Sequence, residues 1–410
     1  MLKVYIRPIA LADSPQSEEG EAIRLGGGLV YASRFALIVR DGARVVSRRR
    51  FSVPEVSRAF GALPDGLAAE AAAQWDNLRR VHQPIGCGQR MLRLDQPQVM
   101  GILNVTPDSF SDGGKFLDRP ETALEHAHAM LAAGAALIDV GGESTRPGAA
   151  AVWEGDEAKR VVPVIEALAA SGAAISIDSR RSTVIEAALA AGAHIVNDVS
   201  AMRHDPRTAE IVAASGAPVV LMHAPGSDGD LHADGEYADV VLDVFDALRE
   251  RRDAALAGGI APEKILLDPG IGFGKSLAEN LALVNALPMF HALGHPILFG
   301  ASRKRMIGAL SNEAPAHQRM AGSVMLALKA MDAGCQMVRV HDVAETVQAL
   351  HVWRRAARRG VDPISANWPD VRPRCRSRAR TACGRASSAR CRAFWRPRSC
   401  GRDSGRWPGG

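Results

Sequence analysis

Eight short apolar runs between residues 99 and 342 each end in side chains that could bind a polar ligand. The first run, GILN at residues 101–104, leads into VTPDSFSDGG, which holds two carboxylates and is longer than a plain turn requires. Because unpaired polar groups are costly to bury, eight such ends indicate a bound polar ligand. The residues at these ends are Asn104; Glu143, Ser144, Thr145 and Arg146; Asp178; Asn197 and Asp198; Met222 and His223; Asp268, Phe273, Gly274 and Lys275; Ser302, Arg303 and Lys304; and Arg339 and His341.

These side chains fall into two chemical groups. Neutral and cationic side chains suit a multiply charged anion such as pyrophosphate, because arginine forms forked hydrogen bonds to its oxygens. Carboxylates with an amide and an ammonium group suit a flat heterocycle that presents an N–H and NH₂ edge. The first group is Asn104, Thr145, Arg146, Arg303, Arg339 and His341; the second is Asp178, Asn197, Asp268 and Lys304.

The alternation of apolar runs and amphipathic stretches along the chain predicts the secondary-structure elements that must position these residues. Each apolar run reads as a buried strand, and amphipathic helical stretches lie between the runs. Eight such units within roughly 260 residues predict an α/β fold of the (β/α)8 TIM-barrel type, with a doubly wound sheet as the alternative. Polar residues at nearly every strand end favour the barrel. The predicted strands cover residues 99–105, 136–142, 173–178, 194–199, 218–223, 264–269, 296–301 and 337–342.

Two further regions flank the predicted barrel of residues 96–358. Residues 1–95 read as an α+β extension of unknown role, with Asp41 and Gly42 as a turn between two strands. Residues 359–410 have no apolar periodicity and predict a disordered Arg-rich tail, with a basic arm for nucleic acid or lipid as the alternative. Residues 371–410 hold twelve Arg and one Asp, so residues 1–370 carry a net charge of −6. The charge therefore gives no reason to expect nucleic-acid binding by the barrel.

The lengths of the apolar runs, the cysteine content and one glycine-rich stretch argue against membrane-spanning, secreted and ATP-binding proteins. No apolar run reaches the roughly 20 residues that span a bilayer, and the first residues do not resemble a signal peptide. Cys87 and Cys335 are the only cysteines before the tail, which fits a reduced, cytoplasmic compartment. The stretch GIGFGKS is not an ATP-binding loop, because Pro269 stands where that pattern needs glycine.

The motifs taken together resemble the dihydropteroate synthase family. The matching pieces are GILNVTPDSFSDGG, DVGGESTRPGA, SIDS, HIVNDVSA, LMH, LLDPGIGFGK, GASRKRMIG and RVHDV, in the family's order across about residues 97–355. The resemblance implies a transferase of folate biosynthesis that condenses dihydropterin pyrophosphate with p-aminobenzoate and releases pyrophosphate. It also implies Mg²⁺ as cofactor, a homodimer, and neither nucleic acid nor membrane as partner.

The resemblance also implies a role for each matching residue. Asn104 would bind Mg²⁺ together with the diphosphate, and Ser302 with the start of the next helix would face the aminobenzoate carboxylate. Loops carrying Phe110, Asp112 and Arg146 would close over the site, with Asp112 orienting the amine. The expected diphosphate ligands are Thr145, Arg146, Arg339 and His341; the expected pterin ligands are Asp178, Asn197, Met222, Asp268, Phe273 and Lys304; and the expected catalytic residues are Asp112, Lys304, Arg339 and His341.

Two other functions remain open from the residues alone. A related pterin-binding barrel that moves a methyl group between folate and a corrinoid protein would not need a diphosphate-binding set. The residues that argue against this alternative are Arg146, Ser302, Arg303, Lys304, Arg339, Val340 and His341. A non-catalytic pterin-binding relative would be expected to lack Asn104 or Arg339, and both are present.

Overall fold

The computed structural model describes residues 1–12, 20–106, 120–144, 152–226 and 231–358. The predictions for Phe110, Asp112, Thr145 and Arg146, and for the tail from residue 359, lie outside these described residues.

Residues 1–12 and 20–78 contain an antiparallel sheet and two α-helices. The strands are β1 (Leu2–Ala12), β2 (Ile23–Arg24), β3 (Tyr31–Asp41) and β4 (Arg44–Ser52), with β3 between β1 and β4 and also paired with β2. The predicted turn at Asp41 and Gly42 is confirmed, because Asp41 pairs with Arg44 across it. Helices α1 (Val56–Gly61) and α2 (Asp65–Leu78) follow, and the predicted α+β character of this region is confirmed.

The extension packs directly on the barrel. Arg40 of β3 forms an ion pair of 2.6 Å with Asp243, and Asp246 accepts hydrogen bonds from Lys3 and Tyr5 at 2.7 and 2.9 Å. Burial and Asp246 together raise the pKa of the Tyr5 hydroxyl, so it remains a donor. The apolar cores of the extension and of the barrel form one continuous cluster.

Residues 98–358 form the barrel. Its strands are β7 (Gln98–Asn104), β8 (Leu137–Gly141), β9 (Ile175–Asp178), β10 (Ile195–Asp198), β11 (Val219–Met222), β12 (Ile265–Asp268), β13 (Leu298–Phe299) and β14 (Met337–Val340). All eight are parallel neighbours in one sheet, and a bridge between Leu267 and Ile297 joins its two ends. The predicted (β/α)8 barrel and all eight predicted strands are confirmed.

The strands are connected mainly by helices on the outside. These are α3 (Pro120–Ala132), α4 (Glu154–Ala170), α5 (Ser182–Ala190), α6 (Arg207–Ser215), α7 (Val240–Ala257), α8 (Leu277–Ala286), α9 (Arg305–Ala309), α10 (Met320–Asp332) and α11 (Val343–Arg358). Among the described residues, none of the helices has the length and apolar character needed to cross a membrane.

The lower interior of the barrel is apolar and closed by a hairpin. The hairpin consists of β5 (Ile85–Cys87) and β6 (Arg90–Leu92), and its buried residues cluster with one residue from each of seven barrel strands and with Ala174, which directly precedes β9. Because side chains alternate along a strand, the residues two and four positions further on point into the same interior. The barrel residues of this bottom layer are Met100, Leu137, Ala174, Ile195, Val220, Leu266, Leu298 and Met337.

Candidate active site

The upper interior of the barrel is polar, and Arg339 lies near its centre. The Nε atom of Arg339 donates to Asp139 at 2.6 Å, and Nη2 donates to Asp178 at 2.5 Å. Asn197 donates from Nδ2 to the same oxygen of Asp139 at 3.0 Å. Four strands therefore supply one hydrogen-bonded group, which unites Arg339 of the predicted anion group with Asp178 and Asn197 of the predicted heterocycle group.

The carboxyl group of Asp178 has a pKa well above that of a free aspartate. Burial raises its pKa from 3.8 to about 7, although Arg339 opposes this rise, while Asp139, Glu157 and Asp198 add to it. Burial alone would lower the pKa of Arg339, but Asp139, Asp178 and Asp268 raise it, so Arg339 stays charged. Asp178 does not cap the next helix, since α5 begins after Arg181.

Asp268 and Lys304 lie at the rim and interact electrostatically. Asp268 accepts from the backbone N–H of Gly270 at 2.8 Å, and burial raises its pKa while Lys304 opposes that rise. Burial lowers the pKa of Lys304 to about 8, against the effect of Asp268. Asp268 is not a helix cap either, because Ser276 caps α8.

The loop after β12 supplies an aromatic wall. The Lys304 ammonium lies 4.5 Å from the centre of the Phe273 ring and donates to the carbonyl of Ile271. Phe273 also clusters with Met222 and other apolar side chains of this rim, Val199, Ala224 and Leu231. A flat ring can therefore contact apolar side chains while its edge meets the polar group described above.

The shape of this loop depends on Gly270 and Lys275. Gly270 has a φ of +68°, and a Cβ there would lie 1.8 Å from the carbonyl oxygen of His223. Lys275 donates to the carbonyls of Gly270 and Phe273, both at 2.9 Å, and burial lowers its pKa to about 7. The structure thus places Lys275 within the loop as a backbone support.

Asn104 ends β7, Arg339 lies on β14, and His341 follows β14 with Ser302 in contact with it. The Ser302 hydroxyl accepts from the backbone N–H of His341 at 3.1 Å and lies 3.0 Å from its Nδ1. Arg303 differs from the prediction, because its guanidinium is paired with Asp342. Its positive φ of 58° sets its backbone apart from that of an ordinary strand end.

Two acidic residues near the predicted strand ends are structural. Asp198 accepts from the N–H and hydroxyl of Ser200 and the N–H of Met202, at 2.6–2.8 Å, and so shapes the loop after β10. Glu143 is ion-paired with Arg181 at 2.9 Å. Asp198 follows the inward-facing Asn197, so the alternation of the strand directs it outward.

Asp139 is the residue that the sequence reasoning missed. It lies in the middle of the apolar run ALIDVGG, two positions before the strand end where ligands were expected, and it is fully buried. A carboxylate inside a buried strand is itself unusual, and this signal could have marked it.

The donor set at Asn104 fits a magnesium ion only if a substrate provides further ligands. Asn104 ends β7, and its side chain has no hydrogen-bond partner among the described residues. Within that part of the chain, no three His, Cys, Asp or Glu side chains are arranged to hold a metal ion. Mg²⁺ is commonly held by few protein oxygens together with water and phosphates, which agrees with this arrangement.

Comparisons with known proteins identify the family. A family model described as pterin binding enzyme matches residues 100–341. Dihydropteroate synthase of Neisseria meningitidis serogroup B is 45% identical over 270 residues, which cover 65% of this chain and 95% of that protein. The Escherichia coli K12 enzyme is 47% identical over 262 residues, covering 64% of this chain and 92% of that protein.

Solved structures agree with this match. Dihydropteroate synthase of Xanthomonas albilineans with 4-aminobenzoic acid is 47% identical with a TM-score of 0.64, covering 69% of this chain and 100% of that chain. A structure of the Xanthomonas enzyme with 7,8-dihydropteroate is 45% identical with a TM-score of 0.62, covering 68% and 100%. Together with the barrel and its polar interior, these matches show that the chain belongs to the pterin-binding enzymes and, among them, to the dihydropteroate synthases.

Proposed function

We propose that the polar interior of the barrel binds dihydropterin pyrophosphate and condenses it with p-aminobenzoate to give dihydropteroate and pyrophosphate. The observation that carries the proposal is the pair of buried strand-end carboxylates, Asp178 and Asp268, each facing a cation. Asp178, Asn197, Asp268 and Lys304 bind the polar edge of the pterin, and Met222 and Phe273 contact its ring faces. The related structures that hold 4-aminobenzoic acid and 7,8-dihydropteroate support this choice of substrate and product.

The reaction begins with departure of the pyrophosphate. The bond between the pterin methylene carbon and the diphosphate oxygen breaks, and its electron pair leaves with the diphosphate. Arg339 and His341 bind this leaving group through N–H groups, and Thr145 and Arg146 are proposed to complete the set. The positive charge left on the pterin methylene is stabilised by Asp178 and Asp268, whose ionised forms carry the opposite charge.

The amine of p-aminobenzoate then attacks the methylene carbon. A carbon–nitrogen bond forms, and the nitrogen releases one proton, which leaves the product neutral at that atom. Ser302 and the start of α9 are proposed to face the aminobenzoate carboxylate. Phe110, Asp112 and Arg146 are proposed to close over the site, because a reactive cation must be kept from water.

Asn104 is proposed to bind Mg²⁺ together with the diphosphate. When bound, the ion would neutralise charge on the leaving diphosphate. Its protein ligand would be the side-chain oxygen of Asn104, with the remaining positions filled by water and substrate.

The assembly and location of the protein are further proposals. Met325 on α10 and Val352 on α11 are 59% and 67% exposed, and these two helices pack against each other. Exposed apolar side chains on adjacent helices support a homodimer through this face. Cys87 and Cys335 are buried free thiols, which supports a cytoplasmic location. Residues 96–358 are proposed as the catalytic barrel, with residues 1–95 as an added packing element.

The test is pyrophosphate release by the purified full chain with dihydropterin pyrophosphate, p-aminobenzoate and Mg²⁺, each omitted in turn. Release that requires both organic substrates, with dihydropteroate formed, would support the proposal. Saturable pterin binding without release would instead favour the methyl-transfer or non-catalytic alternative.

The anion-binding assignment is tested by Arg339→Ala. We expect turnover to fall at least about 100-fold, because two or more charge-assisted hydrogen bonds of about 1.5–3 kcal/mol each are removed. Near-normal turnover would refute the role of Arg339.

A further inference from the structure

Asp139 lies one layer below the rim, where one of its oxygens joins two of the proposed substrate-binding residues. This oxygen accepts from Arg339 Nε at 2.6 Å and from Asn197 Nδ2 at 3.0 Å. Asp139 is fully buried on β8, while its two partners come from β14 and β10. We propose that Asp139 is a positioning residue that holds Arg339 and Asn197 in the orientations in which they bind the pterin substrate. The inference rests on the proposed function above.

The first consequence concerns the amide of Asn197. Because its NH₂ group donates to the carboxylate of Asp139, its oxygen is turned to the opposite side. The flipped amide would place two acceptors against each other inside the barrel, which is unfavourable. Asp139 thereby determines that Asn197 offers an acceptor to the ligand, and an acceptor is what the NH and NH₂ edge of a pterin requires.

The second consequence concerns the charge of Arg339. In this structure its guanidinium bridges Asp139 and Asp178, at 2.6 and 2.5 Å. A ligand that binds to Asp178 must compete with this bridge. Because Asp139 remains as a counter-ion, Arg339 can release Asp178 without becoming an unpaired buried cation. Asp139 thus leaves Asp178 available to a ligand N–H group.

Stability alone does not explain a carboxylate at this position. The second oxygen of Asp139 is buried without a hydrogen-bond partner. Such an atom is costly to bury, so a carboxylate at this position is better explained by a role in positioning ligand-binding residues than by a structural one. Ser176 pairs in register with Asp139 on β9 but makes no hydrogen bond to its carboxylate.

The experiment compares two substitutions at Asp139 with a matched control. Asp139→Asn keeps the size of the side chain and removes its charge, and Asp139→Ser is a second variant in case the first folds poorly. Ser176→Ala is the control, because it alters the neighbouring side chain of the same layer, which contacts neither Arg339 nor Asn197 through any hydrogen bond. All variants are assayed well below their own melting temperatures.

Two readouts distinguish positioning from a structural role. We expect kcat/KM for dihydropterin pyrophosphate to fall about 10- to 100-fold, as when a group that orients a ligand-binding residue is removed. The KM for p-aminobenzoate should change less than about threefold, because that substrate does not contact this layer. When Arg339 is already replaced by Lys, Asp139→Asn should lower kcat/KM for dihydropterin pyrophosphate by a clearly smaller factor than it does in the wild-type chain, since both changes act through one interaction.

Each outcome decides the matter. If Asp139→Asn or Asp139→Ser folds and keeps normal pterin kcat/KM, or if both substrates are affected equally, the inference is wrong. A loss as large in Ser176→Ala would also overturn it. If the wild-type chain releases no pyrophosphate, the proposed function fails instead, and this result is seen before any variant is made.

Discussion

Replacing Asp178 by asparagine should abolish most activity and yet make the protein more stable at alkaline pH. Burial raises the pKa of Asp178 from 3.8 to about 7. A carboxyl group with a raised pKa in the folded state prefers its neutral form there, so its ionisation disfavours folding. The penalty is absent below about pH 4, grows as the pH rises, and is complete above about pH 7.

The size of the effect follows from the size of the pKa change. A rise from 3.8 to about 7 corresponds to about 4 kcal/mol of unfavourable free energy for the ionised form. This is an upper limit, because Asp178 lies 2.5 Å from Arg339, and asparagine would replace a charged acceptor by a neutral one. We therefore expect Asp178→Asn to gain about 1–2 kcal/mol in the free energy of unfolding at pH 8 and little or nothing at pH 4.5.

The measurement is urea denaturation of both proteins between pH 4.5 and 8.5, followed by steady-state kinetics at pH 8. We expect kcat/KM for the pterin substrate to fall at least about 100-fold, since a neutral amide stabilises the methylene cation poorly. A stability difference that does not change with pH, or a variant less stable than wild type at pH 8, would refute the electrostatic reasoning.

Asp198→Asn provides the matched control on the adjacent strand. Asp198 is also buried, and burial raises its pKa as well, but it accepts three hydrogen bonds from the loop at Ser200 and Met202. Asparagine would set its NH₂ group against these donors, so this variant should lose about 1–3 kcal/mol of stability. A gain in the free energy of unfolding for Asp178→Asn and a loss for Asp198→Asn at pH 8 would distinguish the ligand-facing carboxylate from the structural one.

Two further predictions concern Lys304 and the extension. Burial lowers the pKa of Lys304 to about 8, so wild-type kcat/KM for the pterin substrate should fall above about pH 8. Because arginine stays charged, Lys304→Arg should move this alkaline decrease in the pH profile to higher pH. A decrease at the same pH in the variant would contradict this assignment. Arg40→Met should lower the free energy of unfolding, measured in urea, by about 2–4 kcal/mol and leave kcat unchanged. The side chains of Arg40 and its partner Asp243 are only 8% and 25% exposed, so the substitution leaves a largely buried carboxylate without its cation. A matching loss of kcat would show that the extension acts on the site.

The barrel could be predicted from the sequence because its signals are local. Each strand is a short apolar run, and each run is bounded by polar or glycine residues within a few positions. The shortest strand, β13 (Leu298–Phe299), was also found, because the buried run around it is longer than its hydrogen-bonded part. The residues at the strand ends followed from the rule that barrel sites lie at carboxyl ends.

The interactions within the site could not be predicted, because they join distant parts of the chain. Arg339 contacts Asp139, which is 200 positions away in the sequence, and Asp178, which is 161 positions away. No local sequence pattern encodes either contact. The sequence analysis placed Arg303 in the anion group because arginine commonly binds anions. In the structure its guanidinium pairs with Asp342, 39 residues later in the chain. Lys275 could be read as a ligand until its three backbone acceptors were known.

The alternation of side chains along a strand explains why stability and function can coexist in this barrel. Met337 and Arg339 lie two positions apart on β14 and share the interior, but the first belongs to the apolar layer closed by the hairpin. Fully burying such an apolar side chain contributes about 1.5–3 kcal/mol, and the bottom layer contains one residue from every barrel strand except β9, which Ala174 directly precedes. This layer can offset the cost of the charged groups above it, where Asp139 and Asp178 are held. Moving a charge down by two residues, as in Met337→Lys, would remove that separation and is expected to unfold the barrel rather than alter its activity.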